Sequence, residues 1–214
     1  MSEGIPFVVA APSGTGKTTV CRRVVASDSR IVFSVSHTTR AMRAGEREGH
    51  DYHFVSEEEF RALVDAGAFL EHARYNQCHY GTSWRSLAAP LEQGLDVLLE
   101  IEIQGASQVR ERRKDARFVF LLPPSMGELR HRLEARQTDS PEQIARRLAR
   151  AEEEIEAVLD FDYAVVNDDL DRCVASVAAI IAAERAGEAA PLRRRFDPAE
   201  ARERLLRGAG EGRV

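Results

Sequence analysis

Lysine is nearly absent from this chain: of 30 basic residues in 214, 28 are arginines and two, Lys17 and Lys114, are lysines. The net charge of −5 argues against a broadly basic, nucleic-acid-coating surface, so any polyanionic ligand has to be gathered by a local cluster. Cysteine is scarce too. Cys21, Cys78 and Cys173 are odd in number and lack C-x-x-C spacing, which fits a reducing cytoplasm and thiols without chemistry. No membrane span is expected: the apolar run Ile5 to Ala11 is far too short, and Met1 to Gly4 carry no basic region of a signal peptide. The six histidines avoid metal-ligand spacing apart from the loose pair His50 and His53, and no constellation supports covalent catalysis. With 43% hydrophobic and 30% charged residues, the composition is that of a globular chain, long enough for one domain with a small satellite.

The periodicity that is present is that of an α/β protein. The apolar run at Ile5 leads through a Gly-rich turn into helical character from Lys17 to Ala26, and a β-rich run follows from Ile31 to Ser36. From His37 to Gly49 periodicity disappears, marking a loop long enough to suspect function. Structure returns at Tyr52 to Val55; Ser56 and Glu59 form a capping box for a helix to about Ala66, and Phe69 to Tyr75 is β-like. Beyond a helix ending near Gly94, the apolar strands Val97 to Ile103 and Phe118 to Leu122 suit a parallel sheet covered on both faces, with a helix from Gln104 to Arg112 between them. Ser125 and Glu128 cap the next helix, residues 136 to 143 break the helical pattern, and Tyr163 to Val166 and Leu170 to Ala186 form a last strand and amphipathic helix. From Pro191 on, seven arginines face four acids, and Asp197 to Glu200 is a good helix start. This tail reads either as a helix packed on a neighbouring subunit of a homo-oligomer or as a solvated extension.

Ala11-Pro12-Ser13-Gly14-Thr15-Gly16-Lys17-Thr18 fits the phosphate-loop pattern at its diagnostic end, with Ala11 where the strict form has Gly. Backbone N–H groups from Ser13 to Thr19 and the helix N-terminus form an anion nest for ATP, Lys17 reaches the terminal phosphates, and the Thr18 hydroxyl can ligate Mg²⁺. Such a cation also needs a strand-end acid. Glu100 and Glu102, two residues apart in the apolar strand, would share one face.

The stretch from Ser36 to Phe54 fits S-x-x-T-R-x-x-R-x-G-E-x-x-G-x-x-Y-x-F. With the phosphate loop before it and Asn167-Asp168-Asp169-Leu170 after it, the chain resembles guanylate kinase over roughly residues 5 to 185. Chemistry argued from the residues agrees. A nucleoside monophosphate is a dianion that wants bidentate guanidinium donors; Arg40 and Arg43 share one short loop, with Tyr52 and Tyr80 as hydroxyl donors. Guanine offers N1–H and N2–H₂ donors beside its O6 acceptor, so a carboxylate next to a hydroxyl reads it and disfavours adenine. The resemblance implies that Glu71 accepts from N1–H and N2–H₂, that Ser36 donates to O6, and that Thr82 and Glu102 complete the base pocket. It implies further that Arg132, Arg136 and Arg147 belong to a mobile lid and that Asn167 touches the adenine of ATP. Four positions depart from the family: Glu102 for the common Asp, Ala41 for Pro, His37 for Ser and Gln137 for Gly.

The expected architecture is therefore a phosphate-loop NTPase fold of the α/β class, with a central parallel sheet flanked by helices, a small α+β nucleoside-monophosphate-binding insertion and a helical lid. Residues 1–36 and 85–190 would form the core, with the lid at about 130–150, residues 37–84 the GMP subdomain, and 191–214 a charged extension. The expected reaction moves the γ-phosphoryl group of Mg·ATP to GMP, with dGMP as a second candidate acceptor, while Lys17, Arg40, Arg43, Arg132, Arg136 and Arg147 neutralise phosphate charge. Two rivals stand beside it: a non-catalytic guanylate-kinase-like module that binds proteins through the acceptor cleft, and a related kinase for another phosphorylated acceptor such as a sugar phosphate. Neither nucleic acid nor membrane is an expected partner.

Overall fold

The computed structural model describes residues 3–75, 77–135 and 140–210. In chain order the elements are β1 (Pro6–Ala10), α1 (Lys17–Ser27), β2 (Ile31–Phe33), β3 (His37–Thr38), β4 (His53–Phe54), α2 (Glu57–Asp65), β5 (Phe69–Tyr75), β6 (Cys78–Ser83), α3 (Trp84–Glu92), β7 (Asp96–Glu100), α4 (Ile103–Arg112), β8 (Arg117–Leu122), α5 (Met126–Glu134), α6 (Pro141–Glu156), a 3₁₀ turn (Ala157–Asp160), β9 (Tyr163–Val166), α7 (Leu170–Ala186), α8 (Ala190–Arg195) and α9 (Pro198–Gly210). Among the described residues no helix is long and apolar enough to cross a membrane.

A five-stranded sheet has the order β2-β7-β1-β8-β9. Its pairs β2 with β7 and β8 with β9 are parallel, with Ile31 opposite Asp96 and Val119 opposite Tyr163. Phe7 to Ala10, Val97 to Leu99 and Val119 to Leu122 are each 0% exposed, so these strands are apolar along their length because both faces are covered. The mixed α/β class with a central parallel sheet is the one the sequence pattern gives.

Contacts divide the chain into two compact units, one up to Val8 with Ser29–Ala116 and the other Val9–Asp28 with Arg117 onward. The first carries a four-stranded sheet of order β4-β3-β6-β5. Its helix α2 starts with the expected capping box, Ser56 and Glu59 each holding the other's backbone N–H. Strand β6 went unread in the sequence, because Cys-His-Tyr-Gly-Thr-Ser has no apolar alternation; antiparallel pairing to both β3 and β5 makes it a strand. A bulge between Phe69 and Glu71 shifts the register of β5. As a result Glu71, Thr82, Tyr80 and Thr38 share one face, while His37, His53, His79 and His72 lie on the other, where Phe60 of α2 stacks on Phe69 at 4.6 Å.

In the second unit Ser125, Ser140 and Asp169 cap α5, α6 and α7, and Gly187, left-handed at φ 72°, ends α7. Through Gly210, the described part of the C-terminal extension packs on its own chain rather than running as a solvated tail. Ala164 N–H of β9 donates to Phe196 O at 2.9 Å, Ala201 and Leu205 of α9 are buried, and Arg202 of α9 pairs with Glu156 of α6 at 2.5 Å. Glu184 of α7 holds the base of this arrangement. Its carboxylate, 5% exposed, accepts from Arg117 Nε at 2.7 Å, Arg193 Nη2 at 2.6 Å and the Tyr163 hydroxyl. Burial raises the Glu184 pKa, but hydrogen bonds from Tyr163, Arg117 and Arg193 outweigh it and hold the group below its ordinary value. Glu184→Ala is expected to cost about 3 kcal/mol, the lower end for a buried pair because both arginines can turn to water, and to lower the melting temperature by roughly 10 °C. A carboxylate depressed in the folded state stabilises above its unfolded pKa, so the wild-type advantage should be full at neutral pH and fade on acidification below the ordinary carboxylate range. Thermal unfolding of both proteins across pH checks it.

Candidate nucleotide-binding and phosphoryl-transfer sites

The phosphate loop joins β1 to α1. Gly14 and Gly16 sit at φ 96° and 94°, a region that glycine alone enters without strain. A Cβ on Gly16 would stand 2.9 Å from Asn167 Nδ2, so the loop also needs glycine for close approach. Helix α1 begins without a side-chain cap and without an acid in its first turn. That leaves the positive end of its dipole to an anion, with Lys17 and Thr18 as the first two helical residues. The Thr15 N–H donates to Pro12 O at 3.2 Å, and the Thr15 carbonyl accepts from Asn167 Nδ2 at 2.7 Å. Asn167, only 6% exposed, is thus a brace for the loop.

Arg132, on α5, donates to Glu128 Oε1 at 2.8 Å, Asn167 O at 3.0 Å and Thr15 O at 3.4 Å. The i,i+4 pairing with Glu128 and the anchoring to loop carbonyls therefore coexist. Arg147, on α6, donates from Nη2 to the Ser13 hydroxyl at 3.0 Å, which brings a second expected lid cation onto the loop. Arg136 and Gln137 lie outside the described residues. Thr18 and Thr19 are exposed, and Lys17 is partly so. Burial pushes the Cys173 thiol up to about 12, so it stays protonated at neutral pH.

The residues expected on the acceptor side belong to the other unit. Thr82 N–H and Oγ–H both donate to Glu71 Oε1, at 2.9 and 2.7 Å, and Glu71 is 4% exposed. The single Thr82 hydroxyl proton is spent on the carboxylate, so across the 3.2 Å Ser36–Thr82 contact it is Ser36 that donates. Ser36 must therefore turn its proton before it can donate to another acceptor.

Arg40 is held on every side. Its Nη2 donates to Glu46 Oε1 and its Nη1 to Ala41 O, both at 2.7 Å, and its guanidinium lies 5.5 Å from the Tyr52 ring centre. Glu46 Oε2 accepts the Arg43 N–H at 2.8 Å. The Arg40 contact is the main reason the Glu46 carboxyl sits below its usual range, and Glu46 in turn raises Arg40. Tyr52 and Tyr80 have ring centres 6.0 Å apart. Burial first, then the charge of Glu100, pushes the Tyr52 phenol up, so it remains a donor. Glu46 is the residue that sequence reasoning passed over. It appears in the motif, but nothing in its spacing says that it orders both arginines.

Glu100 and Glu102 are not a pair on one strand. Strand β7 ends at Glu100, and Glu102 is the N-cap of α4 without a side-chain capping bond. The helix begins there because Ile103 to Val109 bury Gly105, Ala106 and Val109 as a helical stripe.

A family model described as guanylate kinase matches residues 3–184. A guanylate kinase of Alkalilimnicola ehrlichii is 51% identical over 182 residues, 85% of this chain and 90% of that protein. One of Rhodospirillum rubrum is 46% identical over 210 residues, 98% of this chain and 94% of that protein, so its likeness reaches into the C-terminal helices. Among solved structures, a guanylate kinase from Anaplasma phagocytophilum has a TM-score of 0.70 at 36% identity and covers 86% of this chain and 87% of its own. Phosphate loop, acceptor motif and these likenesses agree: the chain belongs to the guanylate kinase family.

Proposed function

We propose that this enzyme transfers the γ-phosphoryl group of ATP to GMP, giving ADP and GDP. The observation that carries the choice of acceptor is the buried carboxylate of Glu71, held by two donors from Thr82 beside the Ser36 hydroxyl. A carboxylate fixed in this way accepts from a base edge that presents two donors, as guanine does, and is mismatched to adenine. Arg40, Arg43, Tyr52 and Tyr80 would take the acceptor phosphate, and Glu102 the base edge. The acceptor is already an anion, so no general base is required. Its oxygen attacks the γ-phosphorus as the bond to the ADP oxygen breaks, and catalysis rests on position and charge.

On the donor side, the loop amides of residues 13 to 19 and Lys17 would cradle the ATP phosphates. Asn167 would then meet adenine through its Oδ1, since Nδ2 holds the loop. Arg147 and Arg136 would bear on the transferring group, and Arg132 would follow once it exchanges loop carbonyls for phosphate. The hydroxyl of Thr18 and the carboxylate of Glu100 are hard oxygen donors of the kind Mg²⁺ takes alongside water and phosphate oxygens. When bound, that cation would neutralise β- and γ-phosphate charge. Cys21, Cys78 and Cys173 form no disulfide and two of them are buried, which supports a reducing, cytoplasmic setting.

One coupled assay with ATP and, in turn, GMP, AMP, UMP and CMP tests the proposal. GMP is expected to be turned over and the others barely. No turnover with any of them would favour the protein-binding module, and equal rates with AMP would overturn the role of Glu71.

A further inference from the structure

Strand β5, which carries Glu71, is an edge of its sheet, and helix α4 takes the place of the missing neighbour. Gly105, Gln108 and Arg112 recur at helical spacing, on one face of α4. The Gln108 side-chain amide copies a peptide group: its Nε2 donates to His72 O at 2.8 Å, and its Oε1 accepts the His72 N–H at 3.2 Å. Arg112 Nη1 donates to Leu70 O at 2.6 Å and to Phe69 O at 3.2 Å. The strand is therefore pinned to α4 on both sides of Glu71, and the backbone there has little freedom to retreat.

Between these two clamps the Glu71 carboxylate meets the first turn of α4 at Gly105. A Cβ on Gly105 would lie 2.4 Å from Glu71 Oε2 and 3.1 Å from its Cδ, well inside contact distance. The atoms that would have to move are the end of a side chain, whereas the third neighbour, Ile101 Cδ1, stands at an ordinary 3.5 Å. The Gly105 φ is not positive, so nothing in the backbone demands glycine. Glycine at this helical position forgoes the higher helix propensity of alanine, and what it provides in return is room for the carboxylate.

We infer that Gly105 is a specificity-determining position: the missing side chain lets Glu71 sit where Thr82 holds it, and a methyl group there displaces the carboxylate from the base edge while leaving the fold in place. Gly105 touches no substrate; it acts through Glu71, and the inference rests on the proposed reading of guanine by that residue.

The test compares Gly105→Ala, Gly127→Ala and Glu71→Gln with the wild type, measuring kcat and KM for GMP, KM for ATP, the preference for GMP over IMP, which lacks the N2 amine, and the melting temperature. Gly127 is the control, since it lies in the first turn of α5 and its added Cβ would meet only Ser125 Oγ at 3.7 Å. Gly105→Ala is expected to lose roughly tenfold or more in kcat/KM for GMP, and a similar factor in GMP over IMP preference, as a charge-assisted hydrogen bond is lengthened. KM for ATP and the behaviour of Gly127→Ala should be those of the wild type, and the melting temperature of Gly105→Ala should not fall. Unchanged GMP kinetics in Gly105→Ala, with Glu71→Gln impaired, would overturn the inference and spare the reading of Glu71. If Glu71→Gln also kept full GMP activity, both would fall. A lowered melting temperature in Gly105→Ala would overturn it too, because the fold and not the carboxylate would then have yielded.

Discussion

Lys17→Ala is expected to lower turnover by roughly 10³-fold, about 4 kcal/mol of transition-state stabilisation, while the protein stays folded. The loop is shaped by left-handed Gly14 and Gly16, the Thr15–Pro12 turn and the Asn167 brace on Thr15 O, none of which uses the Lys17 side chain. Losing the ammonium therefore removes charge from the terminal phosphates without dismantling the amide cradle. Arginine at this position should not restore the rate, because a planar fork replaces a compact charge at the first residue of α1. Steady-state kinetics together with circular dichroism check this. Near-wild-type turnover in Lys17→Ala would remove the phosphate loop from the mechanism.

Glu71→Gln should reduce kcat/KM for GMP by roughly 10³-fold and leave KM for ATP unchanged. The hydrogen-bond pattern explains the size of the effect. Thr82 offers two donors to Oε1, so a glutamine must turn its carbonyl oxygen to Thr82 and its amide NH₂ to the other carboxylate position. Guanine then meets a donor where it needs an acceptor, in a site 4% exposed, where water cannot repair the mismatch. The same substitution should narrow the gap between GMP and IMP, since the N2 amine no longer finds a carboxylate. A purely structural role for Glu71 would lower activity with both nucleotides equally and lower the melting temperature.

How much of this was legible depends on how local each feature is. The phosphate loop was readable because eight consecutive residues specify it: the glycines meet their own conformational need, and the strand before and helix after are neighbours in sequence. The helix caps at Ser56 and Ser125 are equally local. Strand β6 was not readable, since its six residues become a strand only through pairing on both sides. The end of β7 was misplaced because apolar alternation continues through Ile101 and Ile103, while burial of Gly105, Ala106 and Val109 starts the helix.

By itself, then, the sequence determined the α/β rhythm, the glycine-shaped phosphate loop and the helix caps at Ser56 and Ser125, all properties of short contiguous stretches. Only the tertiary structure decided that Glu46 orders Arg40 and Arg43, that Asn167 braces the loop, that Gly105 makes room for Glu71 and that the C-terminal helices pack onto the strand β9 edge. Each of these rests on where a carboxylate, an amide or a bare Cα comes to lie across a turn or a sheet edge, and hydrogen-bond geometry and close packing are settled only when the chain has folded.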